Sequence, residues 1–331
     1  LGILEVVLGR GGENWVDLPT LLFEEVLQFL HESPNNGPSI IDRYGLPDLG
    51  SAIPLLLIIM NANVRGPTVP GTFDRTRGRA LTREVSPDFA NAVSNFFNTK
   101  LPDYEGAKGS QEAYFAALRA HGSEVVTLPP IPGFPDCSFT EDTAVIIDEK
   151  AVIPNLGHPN RNGEQDSIAD FLSEEFEIAK MPKGATLDGG DVVFYDDRFL
   201  VGVSSRTNQQ GAVFLADHAN RAGFGVQLFD VPESTLHLTT VCSSPRPGTI
   251  VAAEGHLTGS DLSFADELIW IPEEESYAAN TIAYKDRIII PDGYKKAREL
   301  MLDAGFSVTT VEMTEFREVD ASLTCLSVFI G

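Results

Sequence analysis

One cysteine, one histidine and one aspartate have the residue types that nucleophilic catalysis requires. Cys325 lies in "VDASLTCLSV", His237 in "STLHLTTVCS" and Asp188 in "ATLDGGDVVF". A cysteine nucleophile needs a nearby base, and that base needs an acid that orients it. Cys325 is predicted on a terminal strand, where a lone cysteine is more often a small apolar core residue. His237 is predicted on an alternating apolar strand, where a lone histidine is more often a hydrogen-bonded core residue. Together the three indicate a cysteine-dependent reaction.

Further acidic residues surround the start of a predicted strand. The segment "FPDCSFTEDTAVI" places Asp136, Glu141 and Asp142 there. Any one of them alone is more often part of a solvated turn. Their significance therefore depends on whether the fold brings them to the cysteine and the histidine.

The elements that must position these residues form a repeat. The segments "DTAVIIDEKAVIPN", "DVVFYDDRFLVGVS" and "NTIAYKDRIIIPDG" each predict a strand, a tight charged turn and a second strand. A helical stretch and a further strand follow, so the unit is ββαβ and recurs roughly every 45–50 residues. Such units close a ring or stack as a solenoid, because one unit cannot bury its own apolar face. In a ring, residues far apart in sequence meet at the centre.

Residues 1–72 lack this repeat. The stretch "WVDLPTLLFEEVLQFLHES" has helical periodicity, and segments rich in Pro, Gly and Asn follow it. We predict an irregular, partly helical or disordered N-terminal extension over 1–72 and a catalytic domain over 73–331.

Composition limits the partners. The 331 residues carry a formal net charge of −24, which argues against nucleic acid or an anionic membrane as the partner. The acidity suits a cationic substrate, or it serves solubility. Three cysteines without a CxxC pair predict neither a disulfide framework nor a zinc site, and hence a reducing, cytoplasmic location. The apolar run at 52–60 is too short to span a bilayer.

Several motifs carry a specific resemblance. The segments "FPDCSFTEDTAVI", "TLDGGDVVF", "SSRTNQQGA", "LHLTTVCS", "IPEEESYAANTI" and "VDASLTCLSV" are similar to those of dimethylarginine dimethylaminohydrolases, a family of the guanidino-modifying (pentein) superfamily. The resemblance runs from about residue 73 to 331. It implies a five-bladed α/β propeller of ββαβ units, no metal or other cofactor, a small-molecule substrate, and a monomer or homodimer.

The resemblance also implies a role for each site residue. Cys325 corresponds to the nucleophile, His237 to the general acid/base and Asp188 to its carboxylate partner. The implied substrate contacts are the guanidinium pair Glu141 and Asp142, the α-amino ligand Asp136 with Val319 and Asp320 near the same end, the α-carboxylate ligands Arg161 and Arg206, and the loop contact Val93.

The implied reaction converts mono- and asymmetric dimethylarginine to citrulline and methylamine or dimethylamine through a covalent thiouronium. Arginine deiminases carry an aspartate where this chain has Thr239. A site with one carboxylate fewer suits a methylated guanidinium, which has fewer N–H donors, so Thr239 favours methylated substrates. Two alternatives stay open: a hydrolase of arginine or another guanidino compound, and a non-catalytic pentein that only binds a ligand. Retention of Cys325, His237 and Asp188 together argues against the second.

Overall fold

The computed structural model describes residues 77–330. Residues 1–76 and Gly331, and with them the predicted extension 1–72, lie outside the described residues. The strands are β1 Arg79–Arg83, β2 Glu124–Leu128, β3 Val145–Ile147, β4 Lys150–Ile153, β5 Glu177–Lys180, β6 Val192–Tyr195, β7 Arg198–Val203, β8 Gly225–Asp230, β9 Cys242–Arg246, β10 Thr249–Ala253, β11 Glu267–Ile271, β12 Ile282–Tyr284, β13 Arg287–Pro291, β14 Ser307–Val311 and β15 Val328–Phe329. The helices are α1 Tyr104–His121, α2 Glu164–Leu172, α3 Gln209–Arg221, α4 Leu238–Val241, α5 Lys295–Asp303 and α6 Thr314–Arg317.

These strands form five three-stranded sheets, which are the blades of a propeller. The strand orders are β15-β1-β2, β3-β4-β5, β6-β7-β8, β9-β10-β11 and β12-β13-β14. In each blade the first two strands are antiparallel and the third is parallel to the second. The predicted five-bladed α/β propeller of ββαβ units is confirmed. The fourth blade departs from the repeat, since turns rather than a helix connect β10 to β11.

The backbone conformation of the hairpin turns explains the charged residues found between the paired strands of the repeat. Asp148, Asp196 and Lys285 hold equivalent positions, with φ of 50°, 48° and 59°. Each is the first residue of a two-residue turn between paired strands. Two-residue turns with positive φ match the right-handed twist of a hairpin, and aspartate tolerates that conformation better than most residues.

The chain closes the ring with its own C-terminal strand. In the first blade β15 pairs with β1, with Leu81 opposite Val328. Helix α1 packs against this blade, and its Tyr114 hydroxyl is hydrogen bonded to Ser327 Oγ at 2.7 Å. Tyr114 and Leu118 are fully buried, and burial of such side chains contributes about 1.5–3 kcal/mol each. Closure therefore fixes the turn just before β15, which carries Cys325.

Helices α1, α2, α3 and α5 of the described residues pack against the blades, whereas α4 and α6 are single turns. None of them combines the length and apolar character that a bilayer span requires.

Candidate active site

Cys325 lies in a 3₁₀ turn, Thr324–Leu326, directly before β15. The predicted terminal strand at this position is wrong. Asn280 Oδ1 accepts a hydrogen bond from the Thr324 N–H at 3.0 Å, and the Leu326 N–H bonds to Leu323 O. These bonds hold the backbone in the turn, so the chain becomes extended only from Ser327 onwards.

His237 immediately precedes the one-turn helix α4 and has an extended backbone. The predicted alternating strand is therefore wrong at His237: residues 234–241 are turn, bend and helix, and a strand begins only at Cys242. Asp191 Oδ1 accepts a hydrogen bond from the Leu238 N–H at 3.1 Å, which caps the turn. A carboxylate that caps a helical turn overrides the strand preference of Thr239 and Val241.

A small cavity of about 20 Å³ brings most of the predicted site residues together. Its lining comprises Val93, Asp136, Phe139, Asp142, Arg161, Arg206, Leu236, His237, Val319, Asp320, Ala321 and Cys325. Asp188 lies directly behind His237 rather than in the lining. Glu141 faces a different cavity.

The pair of His237 and Asp188 is fully buried. His237 Nε2 lies 3.1 Å from Asp188 Oδ2, while the Gly157 N–H donates to Asp188 Oδ1 at 2.8 Å. Burial raises the pKa of Asp188, but the hydrogen bond and charge of His237 outweigh it and lower the pKa to about 2. Burial has the opposite effect on His237 and lowers its pKa, but the carboxylates of Asp142 and Asp188 outweigh burial and raise the pKa of His237 to about 9. His237 is thus an imidazolium at neutral pH.

The two glycines of "DGGD" permit this approach. A Cβ on Gly190 would lie 2.6 Å from His237 Nδ1 and 3.0 Å from Asp142 Oδ1. A Cβ on Gly189 would lie 2.0 Å from the carbonyl oxygen of Glu141. Both positions exclude any larger side chain, because atoms cannot approach so closely.

Asp142 forms a buried ion pair with Arg161. Its Oδ2 accepts from Arg161 Nη1 at 2.6 Å and its Oδ1 from the Gly190 N–H at 2.9 Å. Arg161 also donates to Glu164 through Nε and Nη2 and to the carbonyl oxygen of Phe139. Arg161 therefore lines the cavity with its guanidinium already bound to two carboxylates at hydrogen-bond distance. Arg206 has a longer ion pair, with Nη1 3.7 Å from Asp188 Oδ2.

Two predicted substrate ligands, Asp136 and Asp320, bind the loop 93–97, whose Val93 lines the small cavity. Asp136 accepts from the Val93 N–H at 3.1 Å. Asp320 accepts from three successive backbone N–H groups, those of Asn95, Phe96 and Phe97, with the last at 2.8 Å. The carboxylates at this end fasten the loop that carries Val93.

Cys325 is half-buried, and its Sγ accepts from the Ser322 N–H at 3.4 Å. Burial, and then the negative charges of Glu141 and Asp142, raise the pKa of the Cys325 thiol well above its usual value. The thiol is therefore neutral in the free protein. A cation that arrives next to it would favour the thiolate.

Glu141 faces a large cavity of about 340 Å³, whose wall includes the first strand of every blade. Its Oε2 accepts from Thr324 Oγ1 at 2.9 Å and from Thr239 Oγ1 at 3.4 Å. Burial and the neighbouring charge of Asp142 raise the pKa of Glu141 to about 8. Glu141 and Thr239 both line the large cavity, apart from the small cavity that contains Cys325.

Three supporting residues were missed in the sequence. Asp191 is the second acid of "DGGD", and Glu164 follows Arg161 by three residues in "RNGE", so spacing offered a signal for both. Asn280 lies within the motif "IPEEESYAANTI", but a single Asn before a strand is typical of a turn, so its type gave no indication of a role.

One group of metal-ligating residue types occurs among residues 77–330. Ligand atoms of Asp142, Asp188 and His237 lie within 4.8 Å of one another. Each already has a hydrogen-bond partner in the protein, namely Arg161 for Asp142 and each other for the remaining two. A metal ion would have to displace these donors.

Comparisons with known proteins agree with this geometry. The profile of the family described as "N,N dimethylarginine dimethylhydrolase, eukaryotic" matches residues 88–260. The N(G),N(G)-dimethylarginine dimethylaminohydrolase of Pseudomonas aeruginosa is 32% identical over 232 residues, which are 68% of this chain and 89% of that protein.

Solved structures show the same fold. A variant of the Pseudomonas aeruginosa enzyme in complex with citrulline superimposes with a TM-score of 0.73 and 27% identity, covering 76% of this chain and 99% of that one. The N-terminal domain of ArgZ, a cyanobacterial arginine dihydrolase, shares the fold at a TM-score of 0.69 and 19% identity, covering 76% of this chain and 96% of that domain. The chain belongs to the dimethylarginine dimethylaminohydrolase family of the pentein superfamily and is a hydrolase of carbon–nitrogen bonds.

Proposed function

We propose that the protein hydrolyses Nω-methylated arginines to citrulline and methylamine or dimethylamine, with Cys325 as the nucleophile. The observation that carries the proposal is one small cavity lined by Cys325, His237 and Asp142. Support also comes from relatives that are named for this activity and from a relative solved with citrulline.

The charges around the cavity suit an amino acid with a guanidinium side chain. Asp142 is the acceptor for the guanidinium, which is planar, always charged and rich in donors. Asp136 binds the α-amino group, and Val319 and Asp320 lie near the same end. Arg206 and Arg161 bind the α-carboxylate. Arg161 must then exchange part of its bonding to Asp142 and Glu164, because these carboxylates occupy it here.

The first step forms a carbon–sulfur bond. Entry of the cationic guanidinium favours loss of the Cys325 thiol proton to solvent, and the thiolate Sγ then attacks the central guanidinium carbon. His237, protonated at neutral pH, donates its proton to the departing nitrogen, and the carbon–nitrogen bond breaks. Methylamine or dimethylamine leaves, and Cys325 carries a thiouronium. Asp188 keeps the imidazole oriented throughout.

The second step breaks that carbon–sulfur bond. His237, now neutral, accepts a proton from water, and the resulting hydroxide attacks the thiouronium carbon. The electrons of the carbon–sulfur bond return to Cys325 Sγ, which takes up the hydroxyl proton of the tetrahedral adduct as the carbonyl of citrulline forms, so the neutral thiol is restored. Citrulline leaves, and the imidazolium is restored.

A substrate panel tests the proposal. Citrulline release is measured from monomethylarginine, asymmetric dimethylarginine, arginine and agmatine, with Cys325→Ser as the matched inactive control. We expect kcat/KM for the methylated arginines to exceed that for arginine by at least about tenfold, or roughly 1.4 kcal/mol. Equal rates with arginine would favour the alternative of a general guanidino hydrolase. No release from any of them would favour a binding protein.

We further propose that residues 73–331 form the catalytic domain of a cytoplasmic monomer or homodimer. A chain that begins at Phe73 is expected to fold and keep its activity. Loss of solubility or activity on removal of residues 1–72 would instead assign that segment a structural role. Analytical ultracentrifugation of the full-length protein and of the protein that begins at Phe73 gives the oligomeric state of each.

A further inference from the structure

A single buried amide connects the two turns that carry the proposed reacting groups. Asn280 is 1% exposed. Its Nδ2 donates to the Thr239 carbonyl oxygen at 2.8 Å and to Thr324 Oγ1 at 2.9 Å, and its Oδ1 accepts from the Thr324 N–H at 3.0 Å. Both donors and the acceptor of the side chain are therefore satisfied.

The connected residues adjoin the chemistry. Thr324 directly precedes Cys325, and Thr239 follows His237 by two residues in helix α4. Asn280 itself ends the 3₁₀ segment Glu273–Ala279 and lies just before β12. The amide thus bridges segments that meet only because the propeller closes.

The direction of each hydrogen bond is determined. Asn280 Nδ2 donates to the hydroxyl of Thr324, so that hydroxyl directs its own proton to Glu141 Oε2, 2.9 Å away. Asn280, Thr324 and Glu141 form a chain of hydrogen bonds in which the Thr324 N–H fixes the orientation of the Asn280 amide. An aspartate at position 280 would keep the bond from the Thr324 N–H but lose both donated bonds.

We propose that Asn280 is a positioning residue, which holds the Cys325 turn in register with His237 for attack and proton transfer. This inference rests on the proposed function, since only that reaction requires the thiol and the imidazole to act together. Misplacement of reacting groups by about 1 Å costs about hundredfold in rate, so a residue that touches no substrate can control kcat.

The experiment compares Asn280→Asp and Asn280→Ala with Gln111→Glu and Gln111→Ala. Gln111 is a matched control because it is buried and its amide also holds backbone, donating to Arg83 O at 2.8 Å and accepting from the Val85 N–H at 3.1 Å. Neither cavity is lined by residue 83, 85 or 111. We expect kcat to fall about tenfold to hundredfold in the Asn280 variants, with KM within about threefold of wild type. The Gln111 variants should lose a similar amount of thermal stability but keep kcat.

A second measurement needs no substrate. The rate at which iodoacetamide alkylates Cys325 is followed against pH, with the modified cysteine identified by peptide mapping. The pH midpoint should shift in Asn280→Ala and stay unchanged in Gln111→Ala. If wild type releases no citrulline but this midpoint still shifts, the proposed function fails and the positioning role stands. An unchanged midpoint, or a rise in KM at unchanged kcat, overturns the positioning role.

Discussion

Glu141 and Asp142 are neighbours in the chain, yet their carboxylates face different cavities. Asp142 lines the small cavity with Cys325, and Glu141 lines the large one. The cause is the 3₁₀ turn Thr140–Thr143, in which successive side chains point about 120° apart. The sequence predicts that both carboxylates face the guanidinium, and the shared cavity with Cys325 supports that role for Asp142 in particular.

This separation predicts unequal effects of two isosteric substitutions. Asp142→Asn should lower kcat/KM by about tenfold to hundredfold, because a charge-assisted hydrogen bond contributes about 1.5–3 kcal/mol. Glu141→Gln should change kcat/KM by less than about threefold at pH 7, because Glu141, with its pKa raised to about 8, is already protonated there. Steady-state citrulline release measures both. Equal losses in the two variants would show that Glu141 also contacts the substrate.

Glu141 should also affect stability as the pH changes. Because folding raises its pKa from 4.5 to about 8, its contribution to stability is complete below pH 4.5 and is lost as the pH rises through 8. Denaturant unfolding at pH 5, 7 and 9 should therefore show a smaller decline with pH in Glu141→Gln than in wild type. A parallel decline in both proteins would contradict the burial of an ionisable group at this position.

Only one of the three cysteines should form the covalent intermediate. Cys325 is half-buried and lines the small cavity with His237, whereas Cys137 and Cys242 are buried and do not line it. Cys325→Ser should abolish turnover in a folded protein, while Cys137→Ser and Cys242→Ser should reduce stability more than rate. Mass spectrometry of acid-quenched enzyme locates the adduct. An adduct on Cys137 or Cys242 would assign the nucleophile elsewhere.

His237 should titrate well above an ordinary histidine. Its pKa is raised to about 9 and that of Asp188 is lowered from 3.8 to about 2, so their ion pair stabilises the fold fully between pH 3.8 and 6.5, and the contribution is lost as the pH rises through 9 or falls through 2. Ring NMR signals of His237 measure this directly, and Asp188→Asn should lower the pKa. His218 provides the internal contrast, because burial lowers its pKa. A pKa near 6.5 for His237 would remove its role as the acid.

Asp320 should control the loop that crosses the small cavity. Asp320→Asn preserves the left-handed backbone at φ 59° but weakens the acceptor for the N–H groups of residues 95–97. We expect faster hydrogen exchange at these amides and a rise in KM of about fivefold. Glu318→Gln is the control, since Glu318 accepts from the Thr99 and Lys100 N–H groups but does not line the cavity. Unchanged exchange in Asp320→Asn would remove the fastening role.

The repeat and the residue types could be predicted from sequence, whereas the direction of side chains could not. The conformation of hairpin turns such as Asp196-Asp197 is determined by the turn residues themselves, so these turns can be predicted from a few residues of sequence. The turns at Cys325 and His237 depend on Asn280 and Asp191, which lie more than forty residues away in sequence. Strand propensity at these positions was overridden by hydrogen bonds that exist only after the blades close.

The remaining prediction concerns Thr239, where an arginine deiminase has an aspartate. Thr239 lines the large cavity, and its hydroxyl donates to Glu141. If the guanidinium reaches the side of Cys325 that faces the large cavity, Thr239→Asp adds an acceptor for it and should narrow the kcat/KM advantage of methylated arginines over arginine, whereas an unchanged ratio would keep the guanidinium within the small cavity. Thr239→Val, which removes the hydroxyl without adding charge, should leave that ratio unchanged. If both variants shift the ratio equally, Thr239 acts through its bond to Glu141 and not by contact with the guanidinium. Parallel rates on arginine and asymmetric dimethylarginine decide between these outcomes.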